Sequence, residues 1–196
     1  MRNTVTPEEA LVIVRKYNKE PFHLRHAVTV SAVMRRMAES LGYGDEAGYW
    51  ATCGMLHDVD FELYPECHLE HTPEILRSEG IGEDVIHTVL SHGYGICSDV
   101  APEHEMEKVL FAADELTGII WAAAKMRPSH SCTDMELSSL KKKFKDKKFA
   151  AGCSRDVISR GAEQLGWTLE ELLQRTLDAM KDAEAEIETA AAGFEN

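Results

Sequence analysis

The chain has 196 residues, 44% hydrophobic and 28% charged, proportions that suit one globular domain with a hydrophobic core. Its formal net charge of −13 argues against a nucleic-acid polymer as partner, because a phosphate backbone selects basic faces. The opening stretch Met1 to Glu9 lacks the apolar core of a signal peptide, and no apolar run approaches the roughly 20 residues of a membrane helix. The five cysteines (Cys53, Cys67, Cys97, Cys132, Cys153) never fall in Cys-x-x-Cys spacing. A reducing cytoplasm is the expected setting, with neither a disulfide framework nor a thiolate zinc site.

Thr6-Pro7-Glu8-Glu9 combines a capping threonine, a first-turn proline and the glutamate of a capping box. It opens a helix carrying Ala10, Leu11, Ile13, Val14 and Tyr17. A second helix is expected from about Leu24 to Leu41, with Ala27, Val28, Val30, Met34 and Met37 inward and Arg35, Arg36 and Glu39 toward water. Gly42-Tyr43-Gly44-Asp45 separates it from a mostly apolar third helix that ends on His57-Asp58. The stretch from Asp60 to His71 reads as irregular, with Pro65 in its middle. Short helices follow from Thr72 to about Gly80 and from Gly82 to His92. Pro102 to about Met126 reads as one long helix containing Asp114, and a helix from Asp134 enters a lysine run. Ser154 caps a helix through Leu165. Thr168-Leu169-Glu170-Glu171 opens a last helix to about Thr189, with Ala190 to Asn196 expected to fray. With no alternating strand pattern and no repeat, the expected class is all-α, a bundle of about eight or nine helices.

The chemistry concentrates in Ala51-Thr52-Cys53-Gly54-Met55-Leu56-His57-Asp58-Val59-Asp60. Here an apolar helix delivers a histidine and an aspartate side by side, and a charge is rarely buried without a partner. A divalent cation suits both imidazole and carboxylate. His26 and Asp114 stand on apolar surfaces of other helices, the latter flanked by Phe111-Ala112-Ala113 and Leu116. A bundle can converge such side chains on one interior point. His71 and His92 are further donors in sequence reach. His23, His68, His87, His104 and His130 sit on another face or in polar and loop settings, where a solvated histidine is the ordinary reading; His68 is the nearest substitute for His71.

The order of His26, the adjacent His57-Asp58 and the distant Asp114 resembles the signature of the HD-domain superfamily of metal-dependent phosphohydrolases. The apolar contexts Gly54-Met55-Leu56 and Phe111-Ala112-Ala113 resemble it too. The resemblance implies an HD-domain-like helical bundle with additional C-terminal helices. Its core would lie at about residues 20–125, and a basic segment and helices at about 126–190 would pack on it within one domain, 1–196. It implies His26, His57, Asp58 and Asp114 as metal ligands. Members that hold two ions add histidines where His71 and His92 fall, with Asp58 bridging; many have a further histidine where this chain has Gly93, which implies a looser second ion. The implied cofactor is one or two divalent transition-metal ions (Fe, Mn, Ni, Co or Zn). The implied activity is hydrolysis of a small phosphorylated substrate, a phosphomonoester or a nucleotide-like anion, by metal-activated water. Other members with the same ligand set hold a mixed-valence di-iron centre and oxidise a small organic substrate with dioxygen. A non-catalytic metal-dependent sensor is a third reading.

Asp60 and Glu62 follow the pair closely and are candidates, with Asp58, for catalytic roles such as orienting water or protonating a leaving group; solvated loop acids are the alternative. Residues 121–160 carry a net charge of +6, against −19 for the rest. A small anionic substrate is the expected partner, and Lys125, Arg127, Lys141, Lys142, Lys143, Lys148 and Arg155 are the expected counter-charges. A solvated basic face is the competing reading. The segment Lys141 to Gly152, with Leu90 to Gly95 and Ala113 to Gly118, resembles a subset of small bacterial HD proteins.

Overall fold

The structure is a computed structural model and describes residues 5–194. Thr6 caps α1 (Pro7–Tyr17) reciprocally: its hydroxyl oxygen accepts the Glu9 N–H at 3.2 Å, and the Glu9 carboxylate accepts the Thr6 N–H at 2.8 Å. The second helix, α2 (Pro21–Ser40), starts at Pro21 rather than Leu24. A proline at the first helical position leaves no donor stranded, and the Glu62 carboxylate accepts the N–H groups of Lys19 and Glu20 just before it. Next come α3 (Ala47–Leu56), α4 (Thr72–Ser78), α5 (Glu83–Ser91), α6 (Glu105–Lys125), α7 (Leu137–Lys145), α8 (Arg155–Leu165) and α9 (Leu169–Ala191). Among the described residues there is no strand, and the class is all-α.

The shifted boundaries have local causes. α6 begins at Glu105 because His104 caps it, its Nδ1 accepting the Met106 N–H while Glu107 accepts the N–H of His104. α7 begins at Leu137 because Asp134 is engaged by Arg127 and Ser129. At the carboxyl end, α9 continues to Ala191, and Ala191 and Phe194 are buried, so the expected fraying does not begin at Ala190; residues 195–196 lie outside the described ones.

α2 is the central helix, packing most extensively on α3 and α9, while α6 packs on α8 and α2. Trp50, Met34, Leu56, Leu110, Leu116 and Ile119 are fully buried between them. The α2–α3 approach depends on Gly54, where a Cβ would stand 2.9 Å from the Met34 side chain and 3.0 Å from the Val30 carbonyl oxygen. The Ser31 hydroxyl, which donates to the Ala51 carbonyl at 2.8 Å, ties the same two helices. This contact sets the carboxyl end of α3 beside the amino-terminal half of α2, and α6 closes the third side. No helix among the described residues is long and apolar enough to cross a membrane.

Candidate metal centre

His26 projects from α2, His57 and Asp58 follow the end of α3, His68 stands in the loop before α4, His92 follows α5, and Asp114 lies on α6. Their donor atoms form two groups, each within 4.8 Å: His26, His57 and Asp114, then Asp58, His68 and His92. In the first, His26 Nε2 is 3.1 Å from His57 Nε2 and 2.9 Å from Asp114 Oδ1, and His57 Nε2 is 3.3 Å from Asp114 Oδ1. In the second, His68 Nε2 is 3.3 Å from His92 Nε2, and the two lie 3.3 and 3.5 Å from Asp58 Oδ1. Asp58 joins them, because its other oxygen, Oδ2, is 3.3 Å from His57 Nε2 and 3.5 Å from His26 Nε2.

The chemistry of these atoms fits a cation. The Nδ1–H of His57 donates to the Gly54 carbonyl at 2.8 Å, and that of His92 to the Val89 carbonyl. His68 Nδ1 is held 2.9 Å from Asp60 Oδ1. With the proton fixed at Nδ1, each neutral imidazole turns an Nε2 lone pair toward its neighbours, and facing lone pairs need something positive between them. Asp114 Oδ1 is buried and accepts no well-directed hydrogen bond, a cost that a cation would remove. Ligands that share one ion at bonds of about 2.0–2.2 Å stand roughly 3.0–3.5 Å apart, which is the spacing found here.

Without an ion, protons balance this charge. Burial disfavours the His57 imidazolium, but the carboxylates of Asp58 and Asp114 outweigh it and raise its pKa well above the ordinary value. His68, likewise opposed by burial and favoured by Asp58 and Asp60, is pushed up to about 9. Burial raises the Asp58 and Asp114 carboxyls, but His57 foremost pulls both below the usual carboxylate range.

His71, expected on a second ion, is corrected by this arrangement. It sits at the amino end of α4 with its ring tilted against Tyr64, centroids 4.0 Å apart, and His68 takes the place beside Asp58 and His92. Leu69, buried with φ of 72°, explains how. A left-handed residue is unusual away from glycine, and here its N–H donates to Asp60 Oδ2 at 2.8 Å. The chain thereby turns His68 inward. At Gly93 a Cβ would stand 2.4 Å from the Leu69 side chain and 2.7 Å from Cys97 Sγ, so a larger residue there would require both side chains to move.

Asp60 and Glu62 are also placed differently from the water-orienting or proton-donating roles expected of them. Asp60 is fully buried, with both oxygens engaged by His68 and the Leu69 N–H, and orients a histidine. Glu62 accepts N–H groups from Lys19 and Glu20 and pairs with His23; burial raises its carboxyl, but these partners outweigh it and leave the pKa lowered. A residue missed in the sequence is Glu115, which burial and then the Asp114 charge push up to about 7.

The expected substrate cations are mostly committed elsewhere. Lys141 pairs with Glu170 and Arg127 with Asp134. Lys143 lies 4.5 Å from the Phe149 ring centroid, Lys125 lies 5.8 Å from that of Trp121, and Lys142 and Lys148 are exposed. Arg155 donates to the carbonyls of Phe144, Phe149, Ala150 and Cys153, holding the α7–α8 connection together. None of these lines the cleft that opens beside His26. That cleft, about 200 Å³, is bounded by Phe22, Arg25, Thr29, Gly118, Trp121 and Cys153 among others.

Fold and site together define an all-α protein with a histidine–aspartate cluster suited to metal. Residues 24–119 match the family model described as HD domain, a span that contains every residue of both groups, and this part of the chain is an HD domain. No curated protein and no solved structure matched the chain.

Proposed function

We propose that the protein is a metal-dependent phosphohydrolase that uses two divalent transition-metal ions on a small phosphomonoester. The observation that carries this reading is Asp58, one of whose oxygens faces each histidine group. His26, His57 and Asp114 would hold one ion, His68 and His92 the other, and Asp58 both. Such ions supply Lewis acidity to a phosphoryl oxygen and acidify water near neutral pH.

The chain itself does the positioning. His57 and His92 are locked by carbonyls of Gly54 and Val89, and His68 by Asp60, so the Nε2 atoms keep their aim before any ion or substrate arrives. His57 is fully buried, whereas the side chains of His26 and Asp58 keep 22% and 24% exposure. The cluster is therefore closed behind at His57 and open at Asp58 and at His26, which also borders the cleft, and a hydrolase requires such an opening for water and substrate.

The reading is tested by metal analysis of the purified protein, followed by phosphate release from a phosphomonoester panel with Mn, Ni, Co, Zn or Fe. Release that depends on metal and disappears in Asp58→Ala is the expected result. The same donors suit iron. Oxygen uptake with an electron paramagnetic resonance signal and no phosphate release would assign the site to an oxygenase instead, and metal binding without either turnover would leave a sensor.

A further inference from the structure

The residues bordering the cleft follow a pattern. On α2, Phe22, His26 and Thr29 share one face, and on α6, Asp114, Gly118 and Trp121 do the same. The metal cluster and the cleft are thus successive turns of a single groove between two helices, joined at His26, and the cleft can hold the rest of a substrate. Its walls are apolar. Phe22 and Trp121 meet edge to face with ring centroids 5.9 Å apart, and the Phe22 side of that wall is open to solvent, with Phe22 itself 59% exposed. The α7–α8 connection forms the roof through Cys153, which approaches closely only because residue 118 is glycine: a Cβ there would stand 2.8 Å from Cys153 Sγ.

Charge and size narrow the occupant. Arg25 is the cation that borders the cleft, and its guanidinium is paired with Glu188 and stacked 5.5 Å from the Trp121 ring centroid. The hydroxyls of Thr29 and Thr117 donate to the carbonyls of Arg25 and Asp114 in their own helices. Little remains to recognise a sugar or a second phosphate. A benzene molecule fits an engineered cavity of about 150 Å³, so a cleft of about 200 Å³ has room for one ring within its walls, its open side facing solvent.

We propose that the non-phosphate part of the substrate is one flat aromatic group, seated against Phe22 and Trp121 with its phosphate at the His26 end. The inference rests on the phosphohydrolase reading and narrows its small phosphomonoester to an aryl or arylalkyl one, in place of the nucleotide-like substrate that the resemblance implied. In the reaction a water oxygen forms a new bond to phosphorus and the bond from phosphorus to the alcohol oxygen breaks. One water proton ends on that alcohol and the other on the phosphate.

The test compares benzyl phosphate with methyl phosphate, whose alcohols have similar acidity, and with adenosine 5′-triphosphate, on the metal-loaded full-length protein. Benzyl phosphate should exceed methyl phosphate in kcat/KM by about ten-fold or more, the worth of burying one ring face. Phe22→Ala, at an exposed position that does not threaten folding, and Ala122→Leu, which adds bulk at another residue lining the cleft, should each reduce that ratio several-fold. Equal kcat/KM for the two esters, preference for the triphosphate, or an unchanged ratio in both variants would overturn the aromatic assignment while leaving phosphohydrolysis standing. Calorimetric binding of benzylphosphonate and methylphosphonate decides the cleft without turnover. If no ester is hydrolysed but benzylphosphonate binds about ten-fold tighter and Phe22→Ala removes the difference, the hydrolase reading falls and the aromatic site remains. Equal binding of the two phosphonates overturns the aromatic site.

Discussion

The histidine–aspartate cluster, which the fold assembles from distant residues, and the lysine-rich segment 141–148, which is contiguous in sequence, behave in opposite ways. In the cluster, side chains from separate elements converge until imidazole nitrogens stand 3.1 and 3.3 Å apart, and the Asp58 and Asp114 carboxylates face the histidines. In the basic segment the charges diverge. Lys141 leans on Glu170, Lys143 on Phe149, and Lys142, Lys145, Lys147 and Lys148 face water. A site is made by unsatisfied groups that cannot avoid one another, and a run of like charges on a surface helix can always avoid itself.

That contrast is broken most directly at its strongest point. His57→Ala or Asp58→Ala should weaken metal binding by about a hundred-fold or more while the helical circular dichroism is retained, because each removes a ligand; His57→Ala, which also empties a fully buried position, should lower the denaturation midpoint as well. Reversing Lys141, Lys142 and Lys143 to glutamate should change metal affinity less than about two-fold, as expected for screened surface charge. A comparable loss in both would erase the distinction.

Arg155 sharpens it from the other side, being the basic residue whose role is structural. Arg155→Ala strands several carbonyls of the α7–α8 connection and should cost about 2–4 kcal/mol, read as a fall in chemical-denaturation midpoint. Lys141→Ala should cost less than about 0.5 kcal/mol in the same assay. Within the cluster, Asp60→Asn leaves every ligand in place but loosens the hold on His68, and metal affinity should fall about ten- to a hundred-fold.

The pH dependence follows from the protons that stand in for the ion. The His68 pKa is raised in the folded protein from 6.5 to about 9, so its contribution to metal-free stability is complete below pH 6.5 and is lost as pH rises through about 9. A cation must displace that proton, so apparent metal affinity should climb across the same interval. Calorimetry in two buffers of different ionisation enthalpy should record more protons released per ion near pH 6.5 than near pH 9. Proton release that does not vary over that range would contradict the charge balance described here.

Much of this architecture was legible in the chain because it depends on local pattern. Thr6-Pro7-Glu8-Glu9 and Thr168-Leu169-Glu170-Glu171 announced their helices, and His26, His57-Asp58 and Asp114 stood out against apolar surroundings. What could not be read was backbone conformation in the loop from 60 to 71. Choosing His68 over His71 depends on Leu69 adopting a left-handed conformation, and nothing about leucine signals that. The same applies to Asp60 and Glu62, whose acids looked free because the N–H groups they accept come from a loop turn and from the start of α2. The cleft was invisible for another reason: Phe22, Trp121 and Cys153 are far apart in sequence and ordinary at each position.

The most direct measurement is a count of bound metal ions in the purified protein and in His68→Ala and His71→Ala. The account predicts two ions per chain in the unaltered protein, one in His68→Ala and two in His71→Ala. Two ions retained in His68→Ala, or a loss confined to His71→Ala, would contradict it.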